Sequence, residues 1–288
     1  MPDRVPPPEL AEIAAGTDRA FVIALGGFSL EFAGGSLVTH ERIPVPRFNH
    51  VVLHRIGPSR QTAFFEKALD HYFQRAIRPT FRSTEPVPPH VDATLRRFAF
   101  RRRPEPYTLW WSRPVATEWR APGVSVREAG PEELDSVVGF WTDGPNREEL
   151  RRALDVLWSH PNPGERLVPL LAERDGTLVG SSVLLEQPPA ASLHGVGTAP
   201  TARGVGVGSS LVAHALGLVD LREVRAVVLG SDSPRAAARL GPIGFTTLRS
   251  YVEYELPPEA ELTMPSPGPA QPPRWRPPRD LDRTAAVP

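Results

Sequence analysis

The chain of 288 residues contains no cysteine. Disulfides, thiolate nucleophiles and Cys-based metal sites are therefore excluded, and a reducing, cytoplasmic setting is compatible with the absence. Lysine is almost missing too: Lys67 is the only one, in a chain rich in arginine, alanine and proline, a composition typical of a GC-rich bacterial genome. Net charge is lacking, because 33 basic and 33 acidic side chains balance to zero. No global field then favours nucleic acid or an anionic membrane. Residues 1–122 hold 17 basic and 12 acidic side chains and the remainder the opposite imbalance, an asymmetry too small to name a partner. No apolar run approaches the ~20 residues that cross a bilayer. Met1–Leu10 lacks the basic start and apolar stretch of a secretory signal. His50, His54, His71 and His90 do not have metal-ligand spacing such as H-E-x-x-H, so no metal is expected.

Proline, by contrast, is abundant at 35 residues, and it is concentrated at the ends. Residues 1–17, with a triple proline, and 257–288 read as disordered, because such segments bury too little to offset ordering entropy. Two blocks lie between them. In residues 18–115, strands are expected at 20–25, 28–32, 49–56, near 79–83 and at Tyr107–Ser112, with helices at 61–77 and near 90–101. Phe64, Phe65, Ala68, Leu69, Tyr72, Phe73 and Ala76 carry the helical repeat of the first helix. A linker from Arg113-Pro114 to Pro122-Gly123 leads to a second block, 123–256.

The second block opens with a strand at Val124–Glu128 and a helix started by Pro131. A helix at 146–159 follows. Next comes a hairpin, Leu167–Glu173 and Leu178–Leu185, turning at Asp175-Gly176. Then come a strand at Ser192–Thr198, a helix at 208–221, a strand at Val227–Gly230, a short helix at 234–240 and a final strand or strand pair at 245–256. This order predicts an α/β (α+β) fold, a mixed sheet flanked by helices.

The most informative stretch is 196–208, VGTAPTARGVGVG, placed between that strand and the helix at 208. Three alternating glycines expose successive backbone N–H groups, and the helix N-terminus adds unpaired donors and partial positive charge. Together these suit a phosphate or pyrophosphate. The dinucleotide fingerprint G-x-G-x-x-G does not fit the spacing, and Asp220 and Glu223 do not sit at the end of the next strand. The P-loop needs G-K-[ST], which is absent.

The stretch resembles the acetyl-CoA pyrophosphate loop of the GNAT (general amine N-acetyltransferase) superfamily, [Q/R]-x-x-G-x-[G/A], here Arg203, Gly206 and Gly208, with the family's upstream proline at Pro200. The resemblance implies acetyl-CoA as co-substrate. Its pyrophosphate would be held by the backbone of Arg203, Gly204, Val205, Gly206, Val207, Gly208 and Ser209, and its pantetheine arm would pair with Val196, Gly197 and Thr198. A second family feature ends a helix with L-Y-x-x-L-G-F. Here Arg239–Phe245 keeps the I-G-F ending but places Leu240 at the tyrosine that, in many members, protonates the departing thiolate. Ser231, Ser233, Tyr251 or water are the available substitutes. Residues 18–115 resemble a smaller, degenerate GNAT-like domain of a tandem member, because Ile56–Arg60 lacks the glycine ladder.

Acetyl transfer needs an amine that loses a proton and attacks the thioester. His194, on the strand that should pass the thioester, and Glu186, at the end of the preceding hairpin strand, are the candidate bases. Arg96, Arg97, Arg101, Arg102 and Arg103 read as a solvated helix end. Trp110 and Trp111 should place at least one ring in the core, and Asn49 and His50 are candidate lining for an acceptor pocket. Two functions are carried forward: N-acetylation of a small-molecule amine, and non-catalytic acyl-CoA binding. Nothing in the sequence opposes a homodimer.

Overall fold

The computed structural model describes residues 6–257, apart from 33, 55, 116–118 and 143. Along the chain the elements are α1 (Pro8–Ala15), α2 (Thr17–Ala24), β1 (Phe28–Phe32), β2 (Gly35–Thr39), β3 (His50–Leu53), α3 (Pro58–Phe73), β4 (Thr80–Thr84), α4 (Pro89–Arg97), β5 (Arg101–Arg102) and β6 (Tyr107–Ser112). They continue as β7 (Val124–Glu128), α5 (Leu134–Gly139), α6 (Arg147–Ser159), β8 (Arg166–Arg174), β9 (Thr177–Gln187), β10 (Ala190–Thr198), α7 (Val207–Leu218), β11 (Ala226–Ser231), α8 (Ala236–Leu240) and β12 (Thr246–Glu255).

These elements cluster into two compact units. The larger joins the described part of Met1–Gly26 to Tyr107–Ser250, and the smaller joins Gly27–Pro106 to the described residues from Tyr251 onward. Strand β6 and the N-terminal helices thus cluster with the second half of the chain, although they precede the expected linker at 113–123.

Two expectations for the N-terminus are corrected. Residues 8–15 form a helix instead of disorder, and the apolar run at 20–25 belongs to helix α2 instead of a strand. Pro8 opens α1, where its missing N–H costs nothing. Leu10, Ala14, Thr17 and Phe21 then fall three or four residues apart and are all buried, a helical stripe. The tail beyond residue 257 lies outside the described residues.

In the larger unit, β6, β11, β10, β9, β8 and β7 are neighbours in that order. The β10–β11 pair is parallel and the others are antiparallel. This is the mixed sheet flanked by helices that the sequence predicts. The β8–β9 hairpin turns at Asp175-Gly176, whose φ values of +51° and +73° belong to a type I′ turn matched to strand twist. One face of the sheet packs on α7 through Leu170, Leu184, Leu193, Leu211 and Leu229. Helices α1 and α2 pack on β10.

In the smaller unit, β1, β2, β3, β4 and the Tyr251–Glu255 end of β12 follow one another, with β3 and β4 parallel. Strand β2 was not anticipated from the sequence. The long helix α3 buries Phe64, Phe65, Ala68, Leu69, Tyr72 and Phe73 as its repeat predicts, while Ala76 lies past its end and is exposed. On the other side of the core, Arg82 and Glu253, each 4% exposed in the side chain, form an ion pair at 2.8 Å, and Arg103 reaches the second Glu253 oxygen at 3.1 Å.

Candidate functional site

Strand β10 carries the site because its pairing changes along its length. From Ala190 to Leu193 it pairs with β11, ending at Leu193↔Leu229. Beyond that point it runs on to Thr198 beside β9 alone. A bulge between His194 and Gly197 adds one residue to β10, and Gly195 takes φ +60° within it. Bulges bend the strand that carries the extra residue, and here β10 swings away from β11. The edge of β10 that faces β11 is left with no strand partner over 194–198 among the described residues.

After Thr198, a short 3₁₀ turn at Pro200–Ala202 leads to Gly204 and Gly206, with φ +87° and +92°, and Gly206 caps α7. Both angles require glycine. Arg203, Gly204 and Val205 are exposed, Gly206, Gly208 and Ser209 are half-buried, and Val207 is buried as the anchor of the turn. No atom lies within 4 Å of a Cβ built on Gly204, and one on Gly208 would meet only Val196 and Thr198 side-chain atoms at 3.5 and 3.8 Å. The loop therefore presents backbone at the surface, beside the first turn of a 12-residue helix. The helix is fixed to the strands because Gly180 has no Cβ. One there would come within 2.6 Å of Val207 and 2.7 Å of the Gly197 carbonyl.

The predicted loop residues are thus brought together with Val196, Gly197 and Thr198, but the two predicted bases are not. Side chains alternate along a strand, and directly paired residues share a face. His194 pairs with Val183, while Glu186 pairs with Ala191, so they lie on opposite faces. Glu186 points to the α7 side, 3.6 Å from Arg166, and burial pushes its carboxyl above the usual range while Arg166 pulls it down. His194 is 3% exposed and stacks on Phe21, ring centroids 3.6 Å apart and planes 7° apart. Leu240 is buried in the α7-side core, so no hydroxyl reaches the loop from the tyrosine position. Asn49 is fully occupied in a loop: it donates to the Ile43 and Val45 carbonyls at 2.7 and 3.0 Å and accepts from the His40 N–H at 2.9 Å. His50 is buried at 1%.

Four neighbours of the site had no sequence signal. Trp141 lies over Gly195, and the Phe140 carbonyl over Gly197. Trp119 and Ala121 cover Gly206, and the Ala121 N–H donates to Ser210 Oγ at 3.1 Å. Across the sheet, the Tyr107 hydroxyl rests on Gly230 and donates to Asp18. In the smaller unit, a surface cavity of about 630 Å³ is lined by Glu85, Asp92, Arg96, Arg102 and Tyr254. Its charges pair among themselves, Arg102 with Glu85 and Arg96 with Asp92. Arg96, Arg102 and Arg103 of the arginine cluster are accordingly engaged by carboxylates, and Trp111 of the Trp110-Trp111 pair is the buried ring. Among the described residues there is no His/Asp/Glu cluster arranged for a metal, and no helix long and apolar enough to cross a membrane.

A strand that parts from its parallel neighbour and feeds a glycine turn at a helix N-terminus is thus the local arrangement within this mixed sheet flanked by helices. Residues 130–240 match the model of the Acetyltransferase (GNAT) family. The structure is similar to a GCN5-related N-acetyltransferase from Kribbella flavida, with a TM-score of 0.61 at 16% identity, covering 85% of this chain and 96% of that one. It is similar to one from Sphaerobacter thermophilus, with a TM-score of 0.57 at 18% identity over 90% and 98% of the two chains. A tandem GNAT protein from the clavulanic acid biosynthesis pathway matches with a TM-score of 0.54 at 19% identity, covering 78% and 80%. No curated protein matches the chain in sequence.

Proposed function

We propose that the larger unit binds acetyl-CoA and transfers its acetyl group to the amine of a small molecule in the cytoplasm, and that the smaller unit is a degenerate GNAT-like domain. The observation that carries this reading is the exposed Gly204–Gly208 turn at the start of α7, beside the strand edge of β10 that β11 leaves unpaired. The residues present fit the co-substrate: the turn offers backbone donors and the positive end of a helix to a pyrophosphate, in a cradle that side chains at 204 and 208 would fill. Residues 195–198 offer main-chain groups to an extended amide-bearing arm, as a strand would. The co-substrate supplies an activated acyl carbon and a thiolate leaving group.

The chain itself has to hold the thioester at the bulge, polarise its carbonyl with backbone N–H and exclude water. We read Glu186, whose face is the α7 side, as the weaker of the two candidate bases. His194 remains, with one ring face covered by Phe21. Leu240 offers no proton, so the leaving group takes one from Ser231, Ser233, Tyr251 or water. With zero net charge, a small amine suits the protein better than nucleic acid or a membrane surface. The buried Leu240 favours a second reading, acyl-CoA binding without turnover.

The test uses Gly208→Glu. Its Cβ has ordinary contacts, so the fold is retained, while its carboxylate stands where the pyrophosphate belongs. Wild-type binding of acetyl-CoA by calorimetry, lost in the variant and accompanied by amine-stimulated thiol release, supports the transferase. Binding without thiol release supports the second reading, and absence of wild-type binding overturns both.

A further inference from the structure

We infer that the surface cavity of the smaller unit is a binding site for a zwitterionic α-amino acid with an apolar side chain, separate from any acetyl transfer. The cavity holds about 630 Å³, within the range of small-molecule sites. All of its lining comes from the smaller unit, whereas the glycine loop belongs to the larger.

The walls follow from local structure. Helix α4 turns Val91 and Leu95, four residues apart, into the core of the smaller unit. Asp92 and Arg96 lie one residue further on, hence on the neighbouring stripe, and pair along it at 2.9 Å. Arg102 is in register with Tyr254 across the β5–β12 pair, so the two share a sheet face. Tyr254 is 0% exposed, and its hydroxyl donates to Asp92 at 2.7 Å. Burial, and then Asp92 itself, push the phenol above its usual range, so it remains a donor and fixes that carboxylate. The remaining wall is the segment before α4. It adds the carboxylate of Glu85, paired with Arg102 at 2.7 Å, and the apolar carbon of Pro86, Val87 and Pro89.

The hollow therefore carries Arg96 and Arg102, Glu85 and Asp92, and an apolar patch. The four charges sum to zero, and that balance selects the ligand. A lone anion drawn to the arginines would face two carboxylates, and a lone cation would face two guanidinium groups. A zwitterion matches both signs. Asp92 already has one oxygen on Tyr254 and the other on Arg96. Glu85 has a single bond among the described residues, to one nitrogen of Arg102, and is 57% exposed in the side chain. Exposed pairs of this kind contribute little to stability, so opening this one costs little. Glu85 then takes the ammonium and Arg102 the carboxylate, both through charge-assisted hydrogen bonds. The ligand's side chain lies on Pro86, Val87 and Pro89, where the proline rings hold the backbone in place before binding.

The test is calorimetry on the full chain without coenzyme A, so its outcome does not depend on the acetyl-transfer reading. Valine, leucine and phenylalanine are titrated beside the amines that lack their carboxylate and the acids that lack their ammonium. At least one amino acid should bind, and its two analogues should bind about 10- to 100-fold more weakly. Glu85→Gln and Arg102→Gln should each weaken amino-acid binding to a similar degree. Both side chains are half-exposed or more, so the unliganded variants should melt with the wild type. No binding of any of the three amino acids at about 10 mM overturns the inference. So does an analogue that binds as tightly as its amino acid, which makes the ligand a single ion. Binding that survives both substitutions places the amino acid elsewhere and also overturns it.

Discussion

The indole of Trp141 lies on Gly195: a Cβ added to that glycine would come within 1.7 Å of indole Cε2. The same residue holds φ +60° in the bulge of β10. Gly195→Ala therefore meets both a steric and a backbone penalty, and should destabilise the protein by about 2–4 kcal/mol. Urea unfolding would measure this as a lower midpoint at unchanged slope.

Gly206 and Gly208 look equivalent in the motif but should respond differently. Gly206 has φ +92°, and a Cβ there would lie 2.8 Å from Ala121 Cβ. Gly208 is in the first turn of α7 with ordinary contacts. Gly206→Ala should cost about 1–3 kcal/mol, whereas Gly208→Ala should change stability by less than about 1 kcal/mol, with helix propensity in its favour. Thermal unfolding of the two variants side by side checks the contrast.

Glu253 neutralises Arg82 in a buried position of the smaller unit, each side chain 4% exposed. Glu253→Gln keeps the shape and removes the charge, leaving Arg82 in a buried position without its carboxylate. The expected loss is about 3–5 kcal/mol, read from equilibrium unfolding. Glu133→Gln, whose ion pair with Arg127 is exposed on the surface, should cost no more than about 1 kcal/mol in the same assay.

His71 supplies a pH signature. Burial, and then the neighbouring Arg75, lower its pKa from 6.5 to about 4. The unfolded chain therefore takes up this proton at a higher pH than the folded protein does. Below pH 6.5 the unfolded state binds more protons, so stability falls as the pH drops from 6.5 toward 4, and the effect is absent above 6.5. The ring is only half-buried, so the contribution is roughly 1–2 kcal/mol across that window. Unfolding of wild type and His71→Gln at pH 7 and pH 5 should show the larger decline in the wild type. An equal decline in both would remove His71 as its source.

The second half of the chain was legible because its signals agree. The Asp175-Gly176 turn and the glycine loop each point to one local structure, and strands β7 to β11 fall within two residues of their expected bounds. The N-terminus was not. AFVIAL at 20–25 is apolar without a period, and such a run does not distinguish a strand from a buried helix. The helical spacing from Leu10 to Phe21 was obscured by the prolines before it. Strand β2 begins at Gly35, directly after Gly34, and no strand was expected there. For the site, the loop could be read from glycine spacing, but the separation of His194 from Glu186 depends on register, which no single strand reveals. Asp18 and Tyr107 meet only through folding, 89 residues apart.

The clustering of β6 with the second half of the chain bears on how the protein can be divided. A fragment beginning after the linker, near residue 123, contains the family match and the whole glycine loop. It nevertheless lacks Tyr107–Ser112, the antiparallel partner of β11 along Val227–Ser231. It also lacks the helix whose Phe21 shields His194. Such a fragment would offer Ala226–Ser231 as a bare apolar sheet edge, open to pairing with another copy. The boundary that looks natural in the sequence is thus the wrong place to cut, and excising the second half would trade a folded domain for an aggregate.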